Sequence, residues 1–415
     1  MGSNKQWLEK LARLAQEKIA PRAMGYDQNP GFPTENFRDL HAHGLLAPTL
    51  SKVYGGLGLG HHSGDIHTLW QMTMEIARAD MSLARCWEGH ANSLVLLDRL
   101  GTPEQLQRWA PGVVENGELW AAWSGEPLLP KPGEKKKFGT LVQELPEGFI
   151  IDGSKVFCTG APGVDKAILL VHLAGRGGAR HSTAAPEGLL LLVADMRDPS
   201  ISCDDSWWDP MGMKSSVSFL VNFDKTFIPK ENLLGAPGVY LLDDWQTRFS
   251  PHYGATFMGG AMAAYDYTLE YSKTQQREND PYLQQRIAKM AISIETGKMW
   301  LRHVAELWET GQIEQAKMAG SQARYFLETL AKDVLEHSIH ACGARSLIRP
   351  SPLERIYRDL SFYVRHDNID HILATVGKAL LGLEHDASFF KQSASREVPV
   401  SHTKDNGTHY DTGKK

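Results

Sequence analysis

Apolar positions follow a helical period through roughly the first hundred residues of the chain. From Trp7, the residues Leu8, Leu11, Leu14, Ala15 and Ile19 recur on one helical face, which predicts an amphipathic helix ending before Pro21. Asp65 to Ala79 and Ser82 to Leu100 carry further helix-compatible runs. The stretch Gly55 to Gly60 that precedes them lacks GxGxxG spacing and does not join a clear strand to a helix, so it reads as a connector. Near Glu118 the period shortens. Phe149-Ile150-Ile151, then Asp152-Gly153, then Lys155-Val156-Phe157 predict a hairpin, while Ala167 to Leu173 and Gly188 to Ala194 are continuous apolar runs suited to buried strands. Val217, Phe219, Val221 and Phe223 alternate with Ser218, Leu220 and Asn222, which predicts a strand with one buried face. Beyond Pro237 the helical period returns, with Ile287, Met290, Ala291, Ile294 and Leu301 on one face, and persists to Leu383. The pattern implies an α+β fold: an N-terminal helical domain (1–117), a central β-barrel-like domain (118–236), a C-terminal helical bundle (237–395) and a disordered polar tail (396–415).

Composition agrees with a multi-domain globular chain: 415 residues, 42% hydrophobic and 22% charged, with eleven tryptophans to bury. A net charge of −5 provides no drive towards nucleic acid or an anionic membrane. Cys86, Cys158, Cys203 and Cys342 are too scattered for a disulfide framework or a CxxC zinc site. The start Met1-Gly2-Ser3-Asn4 leads into a charged amphipathic segment rather than a signal-peptide core, and no apolar run reaches membrane-spanning length. These features fit a reduced, cytoplasmic location.

Several segments, in order, carry a resemblance. Gly44-Leu45-Leu46 precedes Tyr54-Gly55-Gly56-Leu57-Gly58; Gly101-Thr102-Pro103-Glu104-Gln105 and Asn116-Gly117-Glu118-Leu119 lead to Gly125-Glu126-Pro127. Asp152-Gly153-Ser154-Lys155-Val156-Phe157-Cys158-Thr159-Gly160 follows, then Met211-Gly212-Met213-Lys214-Ser215-Ser216, then Ile228-Pro229-Lys230-Glu231-Asn232, and finally Glu354-Arg355-Ile356-Tyr357-Arg358-Asp359. The layout and these landmarks resemble the acyl-CoA dehydrogenase superfamily, whose members bind a flavin. The resemblance implies FAD, with FMN as the alternative, and a homodimer or homotetramer. It implies that Phe157 packs on the isoalloxazine, that the Thr159 hydroxyl bonds near flavin N5, and that Ser124 contacts the pyrimidine edge. An apolar wall and a donor at N5 are also what flavin chemistry requires physically.

Departures from the dehydrogenase pattern point towards oxygen. Gln275-Gln276-Arg277-Glu278-Asn279 replaces the Arg-x-Gln-Phe-Gly grip on the FAD diphosphate, and His340-Ala341-Cys342-Gly343-Ala344 replaces Gln-x-x-Gly-Gly. Arg365-His366-Asp367-Asn368 aligns both with the dehydrogenases' C-terminal base, which falls on Asp367, and with the His-Asp-Pro motif of the family's flavin monooxygenases. His366 and Asp367 are therefore the catalytic candidates. Asp is one methylene shorter than the dehydrogenase Glu, whereas a His titrating near neutrality suits oxygen chemistry. The expected function is an oxygenase that forms a flavin peroxide and oxidises a small aromatic or CoA-linked substrate with molecular oxygen, served by a flavin reductase or reduced in place. FAD-dependent acyl-CoA α,β-dehydrogenation and a non-catalytic flavin-fold scaffold are the alternatives.

His366, Asp367, Asp370 and His371 could share a helical face as metal ligands, but no ligand-rich partner segment accompanies them, so no metal is expected. Lys131, Lys135, Lys136 and Lys137 read as a basic surface loop, with a CoA phosphate or a reductase as functional alternatives. Trp120, Trp123, Trp207 and Trp208 read as core aromatics, with a flat-substrate pocket as the alternative, and Arg355 and Arg358 as braces of the C-terminal helices.

Overall fold

The computed structural model describes residues 2–61, 65–127, 140–173 and 188–383. The lysines at 131, 135, 136 and 137 and the tail 396–415 lie outside the described residues. Helices α1 (Gly2–Leu14), α2 (Ala20–Gln28), α3 (Thr34–Ala42), α4 (Ile66–Ala79), α5 (Met81–Leu100) and α6 (Pro103–Asn116) come first. Their starts follow capping chemistry. The Asp65 side chain accepts from Thr68 N–H, Asp80 accepts from Ser82 and Leu83 N–H, and Thr102 with Gln105 forms a capping box.

Pro21 does not end the first helix, contrary to expectation. Ala15–Ile19 wind as a π turn in which Ala20 N–H reaches Ala15 O, and the rod runs on through α2. The widened turn makes room for a pyrrolidine ring that would otherwise press on the carbonyl four residues back.

Strands β1 (Trp120–Trp123), β2 (Leu141–Glu144), β3 (Gly148–Cys158), β4 (Lys166–Leu173), β5 (Leu189–Asp195), β6 (Ile201–Asp204) and β7 (Phe219–Pro229) form one curled sheet with the path β1-β4-β2-β3-β7-β6. β1 and β2 run parallel to opposite ends of β4, and β5 pairs antiparallel with β4 along its other edge. The hairpin expected at Asp152-Gly153 is absent. β3 runs through it and pairs with β7 from Gly148↔Pro229 to Cys158↔Phe219, with a bulge between Ile151 and Gly153. An Asp-Gly pair supplies the permissive backbone for a bulge as readily as for a turn, here at a Gly153 φ of 127°, and the long partner strand decides between them. Val217, at φ 38°, lies outside the strand, which starts at Phe219.

Helices α7 (Val239–Leu242), α8 (Trp245–Thr274), α9 (Pro281–Glu309), α10 (Ile313–Cys342), α11 (Pro352–Tyr363) and α12 (Ile369–Leu380) complete the chain. They share one core with the N-terminal helices, where Leu69, Trp70 and Ile76 join Phe257, Met258 and Leu327. α4 and α8 cross at Gly259, where a Cβ would come within 2.4 Å of Ala77 Cβ, so only glycine allows this approach. A second core seats the sheet on α5 and α6 through Leu94, Leu97, Trp109, Trp120 and Ile168. A third, including Val142, Phe149, Leu169 and Phe223, lies within the sheet domain. The architecture is α+β, with helices on both flanks of a curled sheet. Among the described residues no helix is long and apolar enough to cross a membrane.

Candidate active site

A cavity of about 750 Å³ opens where α5, α8, α12, the end of β1 and the C-terminal part of β3 meet. Arg85, Ser124, Phe157, Tyr253, His366 and Asp367 are among its lining residues. The cavity therefore gathers four of the five residues singled out from the sequence: Ser124, Phe157, His366 and Asp367. Thr159 is not on the wall. It is buried behind it, with its hydroxyl 3.0 Å from Ser218 Oγ and its carbonyl accepting from Trp123 Nε1–H.

His366 and Asp367 sit in the turn between α11 and α12, where the Asn368 side chain caps α12 by accepting from His371 N–H at 3.3 Å. Asp367 takes φ 68°, the left-handed region that aspartate tolerates better than most residues. His366 Nδ1 then lies 3.5 Å from Asp367 Oδ2 and makes no shorter polar contact, while its ring packs 4.5 Å from Tyr253 and 5.6 Å from Tyr363. Arg324 holds the turn from below. Fully buried over the Phe257 ring at 4.5 Å, it donates to the His366 carbonyl at 2.5 Å and to Glu328 at 2.9 Å.

These surroundings set the charge of Asp367, whose side chain keeps 22% of its exposure. Burial works to raise the carboxyl, but His366 opposes it and Arg324 and Arg85 reinforce His366, so it is pulled down to about 2. Burial and then the Asp367 charge push Tyr240 and Tyr253 up, which keeps both phenols protonated at neutral pH.

The opposite wall is aromatic. A register shift between Lys155 and Cys158 puts Phe157 at φ 54° and leaves it 55% exposed, edge-on to Trp207 at 5.4 Å and Trp208 at 6.3 Å. Trp120 and Trp123, by contrast, are buried in the cores. Beneath Phe157, the buried Lys155 ammonium pairs with Glu126 and donates to Leu170 O, and Glu126 also accepts from Thr140 N–H. The loop Ser124–Glu126 is thus pinned to β3. Gly125 permits it, since a Cβ there would stand 2.2 Å from Val156 O.

Sequence reasoning passed over Arg85, Asn92, Tyr253 and Arg324. Arg85, Gly89 and Asn92 share one face of α5 at spacings of four and three, but Glu88, His90 and Ser93 are polar on the same helix, so the sequence did not single them out. Arg324 had a visible signal, a charge within the alanine-rich stripe Ala316, Ala319, Ala323 and Ala331. Tyr253 had none. The divergent Gln275–Asn279 segment forms the α8–α9 turn, where Arg277 is held by Ala341 O and Asp280. Arg358 joins Asp27, Glu354 and Met211 O, well away from the cavity wall. Among the described residues no three His, Cys, Asp or Glu side chains converge as a metal site.

Comparison with known proteins adds the lineage. The 2-methylacyl-CoA dehydrogenase of Solanum tuberosum is 26% identical over 374 residues, 87% of this chain and 86% of the relative. The dibenzothiophene monooxygenase of Rhodococcus erythropolis is 24% identical over 402 residues, 89% of this chain and 92% of the relative. The structure of TdsC from Paenibacillus sp. A11-2 with FMN and indole superimposes with a TM-score of 0.81 at 21% identity, covering 92% of this chain and 99% of TdsC. The acyl-CoA dehydrogenase N-terminal domain model matches residues 3–117 and the C-terminal domain model matches residues 250–364, together more than half of the sequence. With the helix–sheet–helix architecture already described, these matches make the chain a member of the acyl-CoA dehydrogenase family.

Proposed function

We propose that this chain is a flavin-dependent oxidoreductase whose reaction is oxygenation of a small aromatic or CoA-linked substrate. The residues present fit a flavin, FMN or FAD. Phe157 offers an aromatic face held out of the core, and the glycine-permitted loop Ser124–Glu126 offers polar backbone beside it. A bound flavin supplies two-electron transfer and, once reduced, reactivity towards molecular oxygen. TdsC, of the same fold, forms a complex with FMN and indole.

The observation that carries the oxygenase reading is the pairing of His366 with Asp367 on the cavity wall, Nδ1 3.5 Å from Oδ2. A dehydrogenase base must take a proton from carbon, and a carboxylate drawn down to about 2 by His366, Arg324 and Arg85 is a weak base for that task. It serves better as the group that orients His366. With Nδ1 directed at Asp367, His366 has Nε2 left to give or take the proton that oxygen transfer requires, and Tyr253 and Tyr363 pack against the ring. One observation favours α,β-dehydrogenation instead: the Asp367 carboxylate does line the cavity, and the 2-methylacyl-CoA dehydrogenase is a relative of similar coverage.

The test loads the full chain with FMN or FAD. Reduced protein is mixed with ¹⁸O-labelled oxygen and dibenzothiophene or indole, and oxidised protein is mixed anaerobically with a 2-methylacyl-CoA. Labelled oxygen in the product supports oxygenation, and flavin bleaching by the thioester transfers the assignment to dehydrogenation. Failure to bind either flavin removes both and leaves a scaffold. A reductase partner is required if NADH and NADPH alone leave the bound flavin oxidised. Assembly as a homodimer or homotetramer completes the proposal, supported by the exposed apolar end of α12.

A further inference from the structure

Three buried side chains from α4, α8 and α5 form one hydrogen-bonded line that ends at the cavity. Thr73 Oγ1 lies 3.0 Å from Leu69 O and 2.7 Å from His252 Nε2, and His252 Nδ1 lies 2.7 Å from the side-chain amide of Asn92. The direction of the line follows from its first member. The Thr73 hydroxyl has one hydrogen and the Leu69 carbonyl can only accept, so both contacts are made when Thr73 donates to Leu69 and accepts from His252 Nε2–H. Burial, opposed by Glu88 and reinforced by Arg85, draws His252 down to about 4, so at neutral pH the ring holds one proton and Nδ1 carries a lone pair.

The Asn92 group that faces Nδ1 must therefore be the donor, its NH2. Amide oxygen and nitrogen share one outline, and here the network orders them. The carbonyl oxygen of Asn92 turns the other way, to the cavity that Asn92 helps to line, and among the described residues it has no hydrogen-bond partner. Space lies beside it. At Gly89, one turn earlier on the same face, an added Cβ would meet only Arg85 Nη1, at 3.9 Å. The charge of Arg85 is answered by the fully buried Glu88, to which Nη1 donates at 2.7 Å. This face of α5 thus offers a ligand a neutral acceptor, and no uncompensated charge that would call for an ion.

We infer that the Asn92 carbonyl oxygen is a specificity-determining acceptor, so that the substrate is a neutral aromatic molecule with an N–H or O–H group donated to this oxygen. This deepens the proposed function and rests on the reading of the cavity as the reaction chamber. At 6% exposure, Asn92 loses its remaining water when a ligand covers it. A ligand that donates restores the lost bond, while one of the same shape without a donor leaves a buried oxygen unpaired. His252 and Thr73 are positioning residues, acting only through the amide that they orient.

The test titrates the full-length protein calorimetrically with indole and with benzofuran, which keeps the two-ring outline but has an oxygen in place of the N–H, and measures flavin affinity on the same samples. Indole is expected to bind at least tenfold more tightly. Asn92→Leu should abolish that preference while flavin affinity holds, and ¹⁵N spectra of histidine-labelled protein should show His252 protonated at Nε2 and bare at Nδ1. If Asn92→Leu does not fold, the wild-type ratio and the His252 tautomer decide. Equal binding of the two probes, binding of neither, a preference that survives Asn92→Leu, or a proton on Nδ1 overturns the inference. So does a loss in the variant that falls on flavin alone, because the oxygen then serves the cofactor. Flavin binding without an indole preference removes the subsite alone; an indole preference without flavin binding keeps the subsite and removes the oxidoreductase.

Discussion

His366 and Asp367 are sequence neighbours that reach the same wall only because Asp367 adopts a left-handed backbone and Arg324 clasps the His366 carbonyl. Replacing His366 with Ala is expected to lower oxygenation about 10²- to 10⁴-fold, the usual contribution of a positioned proton donor or acceptor. Flavin affinity should change little, because no part of the aromatic wall is altered. Unchanged turnover in a flavin-loaded His366→Ala protein would remove the imidazole from the mechanism. Arg324→Met tests the support. It leaves the buried Glu328 with Lys332 alone, so urea unfolding should show a loss of about 3 kcal/mol, the scale of a broken buried ion pair. A loss below about 1 kcal/mol would mean that Lys332 suffices. The His-Asp pair was legible in the sequence because its two residue types carry chemistry at a recognisable place near the C-terminus. Arg324 was marked only as a charge within an alanine-rich stripe; its role was hidden, since the contact that holds the turn is to a backbone carbonyl 42 positions away and no spacing encodes it.

At the scale of elements, α11 ties three parts of the molecule together. Arg358 reaches Asp27 at the end of α2 and Met211 O beside the sheet, while Asp359 accepts from Met213 N–H at 2.6 Å and faces Arg355 at 3.3 Å. Burial, only partly offset by Arg355 and Met213 N–H, pushes the Asp359 carboxyl up to about 6, with the charges of Asp80 and Asp27 adding to the rise. A carboxyl raised above its unfolded value of about 4 favours the fold while protonated, and that contribution is lost as pH climbs through 6. Wild-type protein should therefore lose on the order of 2 kcal/mol relative to Asp359→Asn between pH 4 and pH 7, as read by urea unfolding at both values. A difference that is flat or of opposite sign would show that Arg355 keeps Asp359 ionised throughout. Element types were largely readable from periodicity, because buried faces impose 3.6 or 2 on the sequence. The misreadings at Pro21 and at Asp152-Gly153 share one cause: local chemistry allows both outcomes there, and a distant partner, the neighbouring helices in one case and β7 in the other, selects between them.

For the whole molecule, the cavity lies where the N-terminal helices, the sheet and the C-terminal helices converge, so its shape depends on how all three pack. α12 forms the outer of these walls, with only Thr375 buried along its length. It contributes Ile369, Ile372 and Thr375 to the cavity lining, yet its far end presents Leu380 and Leu381 at 75% and 76% exposure, and Leu373 is also exposed. Side chains of this kind are costly to leave in water, at roughly 1.5–3 kcal/mol for each one fully buried elsewhere, and adjacent exposed leucines mark a contact surface. A second copy of the chain would cover them and stiffen the wall that carries Thr375. Sedimentation velocity of the full chain should accordingly show a dimer or tetramer. Leu380→Ser with Leu381→Ser should weaken that assembly at least tenfold while the helical circular dichroism stays unchanged, and flavin affinity should fall with it as α12 loosens. A wild-type chain that sediments as a single copy with full flavin affinity would show instead that α12 holds its side of the cavity unaided.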